Sequence, residues 1–353
     1  MLRIRIPLLT VLCAVLSTAT LSADDRALSV YWVDVEGGAA TLVVTGAGES
    51  ILIDTGLPGS RDPSRIDDIA TRVAGLTRID HLVITHFDID HFGGAVDLSR
   101  RIAIGKVYDP GIPGNHPFDR WPPSRFTRYR ETFGDRRTIV KPGDRLPLAD
   151  TLGDQLRIDC LVARQAFITP GAALLSSGGA GSPEGACIGH DVRSVDRSEN
   201  RNSIVLVVQY RAFRFLDTGD LTWNLERQLV CPVNLAGKVD VLQSSHHGLD
   251  SSNNPVLYRA TAPDVVVFNN GPTKGCMPNA FRTAKSTESV KAVYQLHRNL
   301  RSAESNTEDE FICNEKRRCE ATHLELAVDK SGESYRIRVP STGSEARYRT
   351  SAK

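Results

Sequence analysis

The ten residues Thr85-His86-Phe87-Asp88-Ile89-Asp90-His91-Phe92-Gly93-Gly94 constrain this chain more than any other stretch. Two histidines and two carboxylates fall within six positions, directly after the apolar run Leu82-Val83-Ile84. Such a run reads as a short buried strand, and the Gly-Gly pair lets the chain turn sharply beyond it. Backbone past a strand end is not bound to alternating faces, so all four polar groups can turn toward one point. Neutral imidazole and carboxylate are the usual ligands of zinc, manganese or ferrous iron. A plain polar surface loop is the competing reading, and the density of ligand-type residues argues against it.

The stretch resembles the His-x-His-x-Asp-His signature of the metallo-β-lactamase superfamily, with Asp88 standing where the second histidine usually is. In that respect it is similar to the branch holding the hydrolase domain of bacterial DNA-uptake channel proteins and the phosphorylcholine esterases. The resemblance implies an α/β fold, a four-layer αβ/βα sandwich, spanning roughly residues 28 to 340. A single hydrolase domain over 24–353, with an insertion at about 110–195, is the expected organisation.

Composition narrows the partners. A 353-residue chain with 41% hydrophobic and 24% charged residues is ordinary for a globular protein. Its net charge of +1 comes without a basic stripe, so no dedicated nucleic-acid-binding patch is expected. Residues 1–23 read as a signal peptide: Arg3 and Arg5 precede an apolar core from Ile6 to Leu16, and small residues follow. That core is short for a membrane span. A periplasmic or secreted location, with no span after signal removal, is therefore expected. Six of the seven cysteines lie beyond the leader, which suggests disulfides. Cys313 with Cys319 is the favoured pair, and Cys160 with Cys187 would staple the insertion, although six cysteines allow 15 connectivities.

Strand patterns precede and follow the central stretch. Leu28 to Val35, Ala40 to Val44 and Ser50 to Ile53 form a ladder that ends in Asp54-Thr55-Gly56, and Ser64 to Ala74 has helical spacing. Asp54, at the tip of a buried strand, reads as a supporting group and not a ligand. Further strands are expected at 103–108, 155–162, 204–208, 239–242 and 264–268, with a closing hairpin at 324–328 and 335–339. Helices are expected at 95–101, 126–133, 221–229, 255–260 and 286–296, and a frayed tail from Ser341. Gly171 to Gly189 is a low-complexity loop. Isolated histidines at 81, 116, 190, 297 and 323 read as surface or satisfied core residues.

By resemblance, one metal would be held by His86, Asp88 and a bridging Asp220, with Asn202 of the Asn202-Ser203 pair nearby. Asp217 is the competitor for the bridge, without a preceding glycine. The second metal would be held by Asp90, His91, His247 and again Asp220. His246 and His247 compete for the last position; His247 is favoured as the ligand, leaving His246 a proton-donating catalytic group. Asp90 is named as catalytic beside its ligand role. Asn270 and Lys274, in a turn past a strand, are candidates for holding a substrate anion. Two divalent ions 3.5–4 Å apart can share a hydroxide formed near neutral pH. Zinc is the default, and the hard oxygen of Asp88 admits manganese or iron.

Three functions follow. An exported dinuclear-metal hydrolase acting on a phosphodiester or a related small molecule is the main expectation. Opening of a cyclic amide or ester, as in a β-lactam or lactone, keeps the same metals. A secreted metal-binding module without turnover is the reading from another class. Oligomeric state is not legible.

Overall fold

Val, Ile and Leu fill the central strands so densely that they are buried on both faces, as strands covered from two sides must be. The computed structural model describes residues 26–112, 123–149, 151–152, 155–169, 185–189 and 191–351. The expected signal peptide, His116, His190 and most of the Gly171 to Gly189 loop lie outside the described residues.

The first sheet takes its strands from both ends of the chain. β1 (Arg26–Trp32), β2 (Thr41–Thr45), β3 (Ser50–Ile53), β4 (Arg78–Val83), β5 (Ala103–Asp109) and β6 (Arg137–Ile139) come first. The second sheet is the middle of the chain: β7 (Leu156–Ala163), β8 (Ala166–Phe167), β9 (Val205–Tyr210), β10 (Phe213–Asp217), β11 (Val241–Gln243), β12 (Val265–Phe268), β13 (Ala292–His297) and β14 (Ile312–Asn314). β15 (Leu324–Asp329), β16 (Ser334–Val339) and β17 (Ser344–Arg349) return to the first. The orders are β17-β16-β15-β1-β2-β3-β4-β5-β6 and β14-β13-β12-β11-β10-β9-β7-β8.

The inner faces meet through Trp32, Ile53, Val83, Leu206, Phe215 and Val241, all buried. Helices α1 (Arg61–Asp68), α2 (Ile89–Phe92), α3 (Ala95–Leu98) and α4 (Thr127–Phe133) flank the first sheet, and α5 (Trp223–Val230), α6 (Pro255–Thr261) and α7 (Pro278–Ser286) flank the second. Separate apolar clusters lie under each helical layer. This is the four-layer αβ/βα sandwich, with its apolar area divided among three seams.

Several expectations need correction. Ser286 to Leu296 is not a helix: α7 starts at Pro278, a residue suited to a first helical turn, and Ala292–His297 pairs with β12 as β13. The β-branched and aromatic content of Val293-Tyr294 suits a pleated surface better than a helix. The tail is not frayed at Ser344, because β17 pairs antiparallel with β16 over six positions. Its alternating charged residues suit a sheet edge. Within 110–195, β6 pairs with β5 and β7 with β9, so this stretch supplies strands to both sheets. Among the described residues the disulfide is Cys187–Cys231, while Cys160, Cys276, Cys313 and Cys319 are free. Cys160 sits inside β7 and faces the core, and Cys313 lies in buried β14, so neither expected pair forms.

One polar junction ties the sheets beneath the parallel strand ends. Gln243 Oε1 accepts from Trp32 Nε1 at 2.8 Å and Thr41 Oγ1 at 3.0 Å, while Gln243 Nε2 donates to Asp217 Oδ1 at 3.1 Å. Replacing Gln243 with Leu keeps the volume but strands Trp32 Nε1 and Thr41 Oγ1 and takes one of two donors from Asp217 Oδ1. The expected loss is about 3 kcal/mol of unfolding free energy, read from urea denaturation midpoints; an unchanged midpoint would show that the junction contributes nothing.

Candidate metal centre

β3 and β4 run parallel, as do β10 and β11, so their carboxyl ends lie on one edge of the sandwich. In open α/β sheets this edge is where ligands bind. β3 hands over to Asp54, held in the left-handed region at φ 61°. Its Oδ1 accepts from Thr85 N and its Oδ2 from Thr85 Oγ1, both at 2.7 Å. Oδ2 also pairs with His91 Nδ1 at 2.7 Å. A carboxylate on one ring nitrogen fixes the tautomer and leaves the other nitrogen as a lone-pair donor. Asp54 thus orients His91 Nε2 into the site, which agrees with its reading as a supporting group.

His86 and His91 are fully buried with ring centroids 4.1 Å apart. Asp220, after β10, is the shared partner. Its Oδ2 lies 3.2 Å from His91 Nε2, 3.4 Å from His246 Nε2, 3.6 Å from His247 Nε2 and 3.8 Å from His86 Nε2. Asp217 instead accepts from Gly219 N and Gln243, so Asp220 takes the central place.

The loop after β11 is unusual. His246 and His247 both adopt left-handed backbone, φ 52° and 55°, which non-glycine residues rarely do. Consecutive strained residues aim both imidazoles at the same edge, and strain of this kind collects at functional sites. Gly275 allows it, because a Cβ there would stand 2.1 Å from the His247 carbonyl oxygen. His247 Nε2 lies 3.2 Å from His91 Nε2 and 3.3 Å from Asp90 Oδ2. His246 is more peripheral, meeting Asn200 Nδ2 at 3.2 Å and Ser251 Oγ at 2.9 Å.

Two overlapping donor groups result, His86/His91/Asp220 and Asp90/His91/His247, each with its ligand atoms within 4.8 Å of one another. Asp88 Oδ2 stands 3.9 Å from His86 Nε2. Burial pushes His86 down to about 3, and burial with Lys274 takes His247 down to about 4. Both are neutral rings with lone pairs available. Burial opposes the charge on His91, but Asp220, Asp54 and Asp90 outweigh it and raise the ring well above its usual value. Burial also opposes ionisation of Asp220 and Asp90, and the surrounding histidines, with Lys274 for Asp90, overcome it. The donor set fits divalent cations: buried His86 Nε2 has no hydrogen-bond partner, and mixed imidazole and carboxylate oxygen is borderline-hard chemistry.

Lys274 Nζ pairs with Asp90 Oδ2, which places this expected residue at the site. Asn202 and Asn270 are elsewhere engaged. Asn202 donates to Glu199 and accepts from Gln165, and Asn270 donates to the carbonyls of Gly271 and His297. The asparagine at the site is Asn200, because the 3-10 turn Glu199–Asn202 rotates positions 200 and 202 to different sides. Sequence reasoning also missed Thr85, Ser251 and Glu199, whose Oε1 accepts from Phe87 N at 3.4 Å. The run Glu199-Asn200-Arg201-Asn202 was the available signal, but its helical phase was not.

Residues 33–162 match the family model described as the Metallo-beta-lactamase superfamily. The paired-sheet sandwich has the metallo-β-lactamase fold, and the match together with the converging loops supports a metal-dependent hydrolase. It is 27% identical over 242 residues to Recombination protein 2 of Haemophilus influenzae, covering 67% of this chain and 24% of the relative. It is 25% identical over 276 residues to Competence protein ComA of Neisseria gonorrhoeae, covering 78% and 30%. The chain thus spans a third or less of the length of these curated relatives. Among solved structures, CmlA, a diiron beta-hydroxylase from Streptomyces venezuelae, is similar with a TM-score of 0.42 and 18% identity, over 69% of this chain and 44% of that one.

Asp54→Asn keeps the shape but breaks the carboxylate–imidazole bond. Metal affinity is expected to fall by ~10–100-fold, measured by equilibrium dialysis with elemental analysis. Affinity equal to that of the unaltered protein would remove Asp54 from any part in orienting His91.

Proposed function

We propose that this chain holds two divalent ions, one by His86, Asp88 and Asp220 and one by Asp90, His91, His247 and Asp220, and hydrolyses a phosphodiester-type substrate outside the cytosol. The observation that carries the reading is Lys274 paired with Asp90 at the mouth of the donor cluster, with its side chain 39% exposed. A fixed cation at the rim of a site rich in carboxylates suits a substrate that brings negative charge of its own. An uncharged lactam gains nothing from it.

When bound, paired divalent ions lower the pKa of a water molecule and polarise a phosphoryl oxygen. The chain's own residues do the rest. Asp54 and Thr85 hold His91 in one tautomer and one orientation. Asp220 meets all four imidazoles and fixes the spacing between the two donor groups. His246 is oriented by Ser251 Oγ on Nδ1, so Nε2 faces Asp220 and the site. From there it can hand a proton to a departing alkoxide, at hydrogen-bond reach. Zinc is the default ion, and Asp88, placing oxygen where related sites have nitrogen, also accommodates manganese or iron.

Export is supported by the Cys187–Cys231 disulfide, a bond that persists in oxidising compartments, and by the leader-like composition of residues 1–23. No described helix is long and apolar enough to cross a membrane.

The protein loaded with zinc or manganese is expected to hydrolyse bis-p-nitrophenyl phosphate, and Asp220→Ala to lower kcat by at least ~10²–10³-fold. Lys274→Ala should raise KM while leaving kcat within a few-fold, the pattern of lost substrate binding. Nitrocefin serves as the opposing substrate. Cleavage of nitrocefin alone, or phosphodiester turnover indifferent to Asp220→Ala, would overturn the reading.

A further inference from the structure

Asp34, His297 and Cys319 are separated by 263 residues (34 to 297) and 285 residues (34 to 319) along the chain, yet their side chains meet. Asp34 follows β1 of the first sheet, and His297 is the last residue of β13 in the second. Cys319 lies in the loop between β14 and β15. Asp34 and His297 are fully buried, and Cys319 is half-buried. Asp34 Oδ1 pairs with His297 Nε2 at 2.7 Å, Cys319 Sγ stands 3.3 Å from Asp34 Oδ2, and Cys319 Sγ stands 3.9 Å from His297 Nε2. Their ligand atoms lie within 4.8 Å of one another, and none belongs to the dinuclear centre.

A cysteine, a histidine and an aspartate together invite comparison with a nucleophilic relay, but the geometry is wrong for one. A relay needs the carboxylate on one ring nitrogen and the nucleophile on the other. Here both partners face Nε2, and Nδ1 is buried without a hydrogen-bond partner. Burial and the nearby Asp34 charge push the Cys319 thiol up, so it is not a ready nucleophile either. Three donor atoms crowding one point describe a coordination site.

Charge supports the same conclusion. Arg65 is the cation in contact with Asp34, at 3.1 Å, and it also pairs with Glu36 at 3.0 Å. Arg61 meets Glu36 at 2.7 Å and Asp62 at 2.5 Å. Asp34, Glu36, Asp62 and a Cys319 thiolate set against Arg61 and Arg65 leave two negative charges, which one divalent cation balances. Glu36 N donates to Asp34 Oδ1 as well, so the carboxylate is already held in place.

We propose that Asp34, His297 and Cys319 form a third cation site, selective for a thiolate-seeking divalent ion such as zinc, with water completing the shell on the half-exposed Cys319 side. Thiolate, imidazole and carboxylate make a donor set familiar for zinc; Cys319 already stands at about ligand spacing from both partners, while the Asp34–His297 pair at 2.7 Å would have to part slightly. Binding releases the Cys319 proton to solvent, shifts the His297 ring proton from Nε2 to Nδ1, and replaces the Asp34–His297 hydrogen bond with two metal bonds. The ion would staple the two sheets. It would also brace the Glu36-Gly37-Gly38 turn against the active edge. That turn leaves no room for side chains: a Cβ on Gly38 would stand 2.5 Å from the Asp90 carbonyl oxygen, and one on Gly37 would stand 3.0 Å from Lys274 Cβ.

Cobalt(II) titration of the chelator-stripped full chain, under reducing and anaerobic conditions, tests this. Thiolate bound to cobalt gives a near-ultraviolet charge-transfer band that imidazole and carboxylate ligands do not give, so the dinuclear centre is silent. The band is expected in the unaltered protein at one equivalent, displaced by zinc, absent in Cys319→Ser and weakened at least tenfold in apparent affinity by His297→Gln. It should persist in Asp220→Ala, where the dinuclear centre is damaged, so failure of the two proposals is distinguishable. No band in the unaltered protein, or a band that survives in Cys319→Ser, would overturn the site.

Discussion

Two imidazole nitrogens, His91 Nε2 and His247 Nε2, face each other at 3.2 Å with the carboxylates of Asp90 and Asp220 beside them. Left to themselves, buried lone pairs repel and buried carboxylates cost several kcal/mol to strip of water. Such an arrangement persists only where the surrounding fold over-determines it. The parallel strand ends supply that rigidity. Asp54, Asp220 and His247 each lie just past a strand whose neighbours are buried and paired, and strain at His246, His247 and Asp54 is held by hydrogen bonds and close backbone contacts. The sandwich is in this sense a support for one crowded edge.

That edge was the most legible part of the sequence, for a physical reason. A buried strand announces itself as an unbroken apolar run, and polar residues just past its end have few structural uses. His86, Asp88, Asp90 and His91, Asp220, and the His246-His247 pair were all readable in that way, as was the layered architecture. Lys274 was readable as a cation in a turn, though nothing local said that it would meet Asp90. The losses share a cause. Asn200 and Asn202 look alike in sequence because a single 3-10 turn decides which of the two faces the site, and no apolar period marks so short an element. The strand at 292–297 reads as a helix from sequence because five or six apolar residues carry no period that separates the two. Disulfide pairing depends on which strands lie side by side, which is why the near pair Cys313 and Cys319 misled.

The Asp34–His297–Cys319 group was invisible for the same reason on a larger scale. Its members lie on opposite sheets and in a connecting loop: His297 and Cys319 are 22 positions apart with a strand between them, and Asp34 is 263 positions from His297. His297 read as a lone core histidine, and Cys319 as half of a local disulfide. Only the pairing of β1 with β15 and of β13 with β14 brings them together.

A proton and a divalent cation compete for the same lone pair, and the charge pattern at the main centre shows how the chain prepares for that contest. His86 and His247 are kept neutral by burial, the condition for donating to a cation. His91, ringed by Asp54, Asp90 and Asp220, sits where positive charge is most strongly favoured. The field that would load a proton onto His91 is the field that would hold a cation at its Nε2, because both respond to the same carboxylates. Asp88 adds a further negative group on the His86 side. Exchanging a neutral nitrogen ligand for a charged oxygen deepens the well for a hard cation and lowers the net positive charge that a fully loaded centre shows to its substrate. A cationic side chain at the rim then becomes useful for an anionic substrate in a way it would not be beside an all-histidine site. Lys274 stands at that rim, paired with Asp90, and under the proposed function that pairing would link the identity of residue 88 to the charge of the substrate.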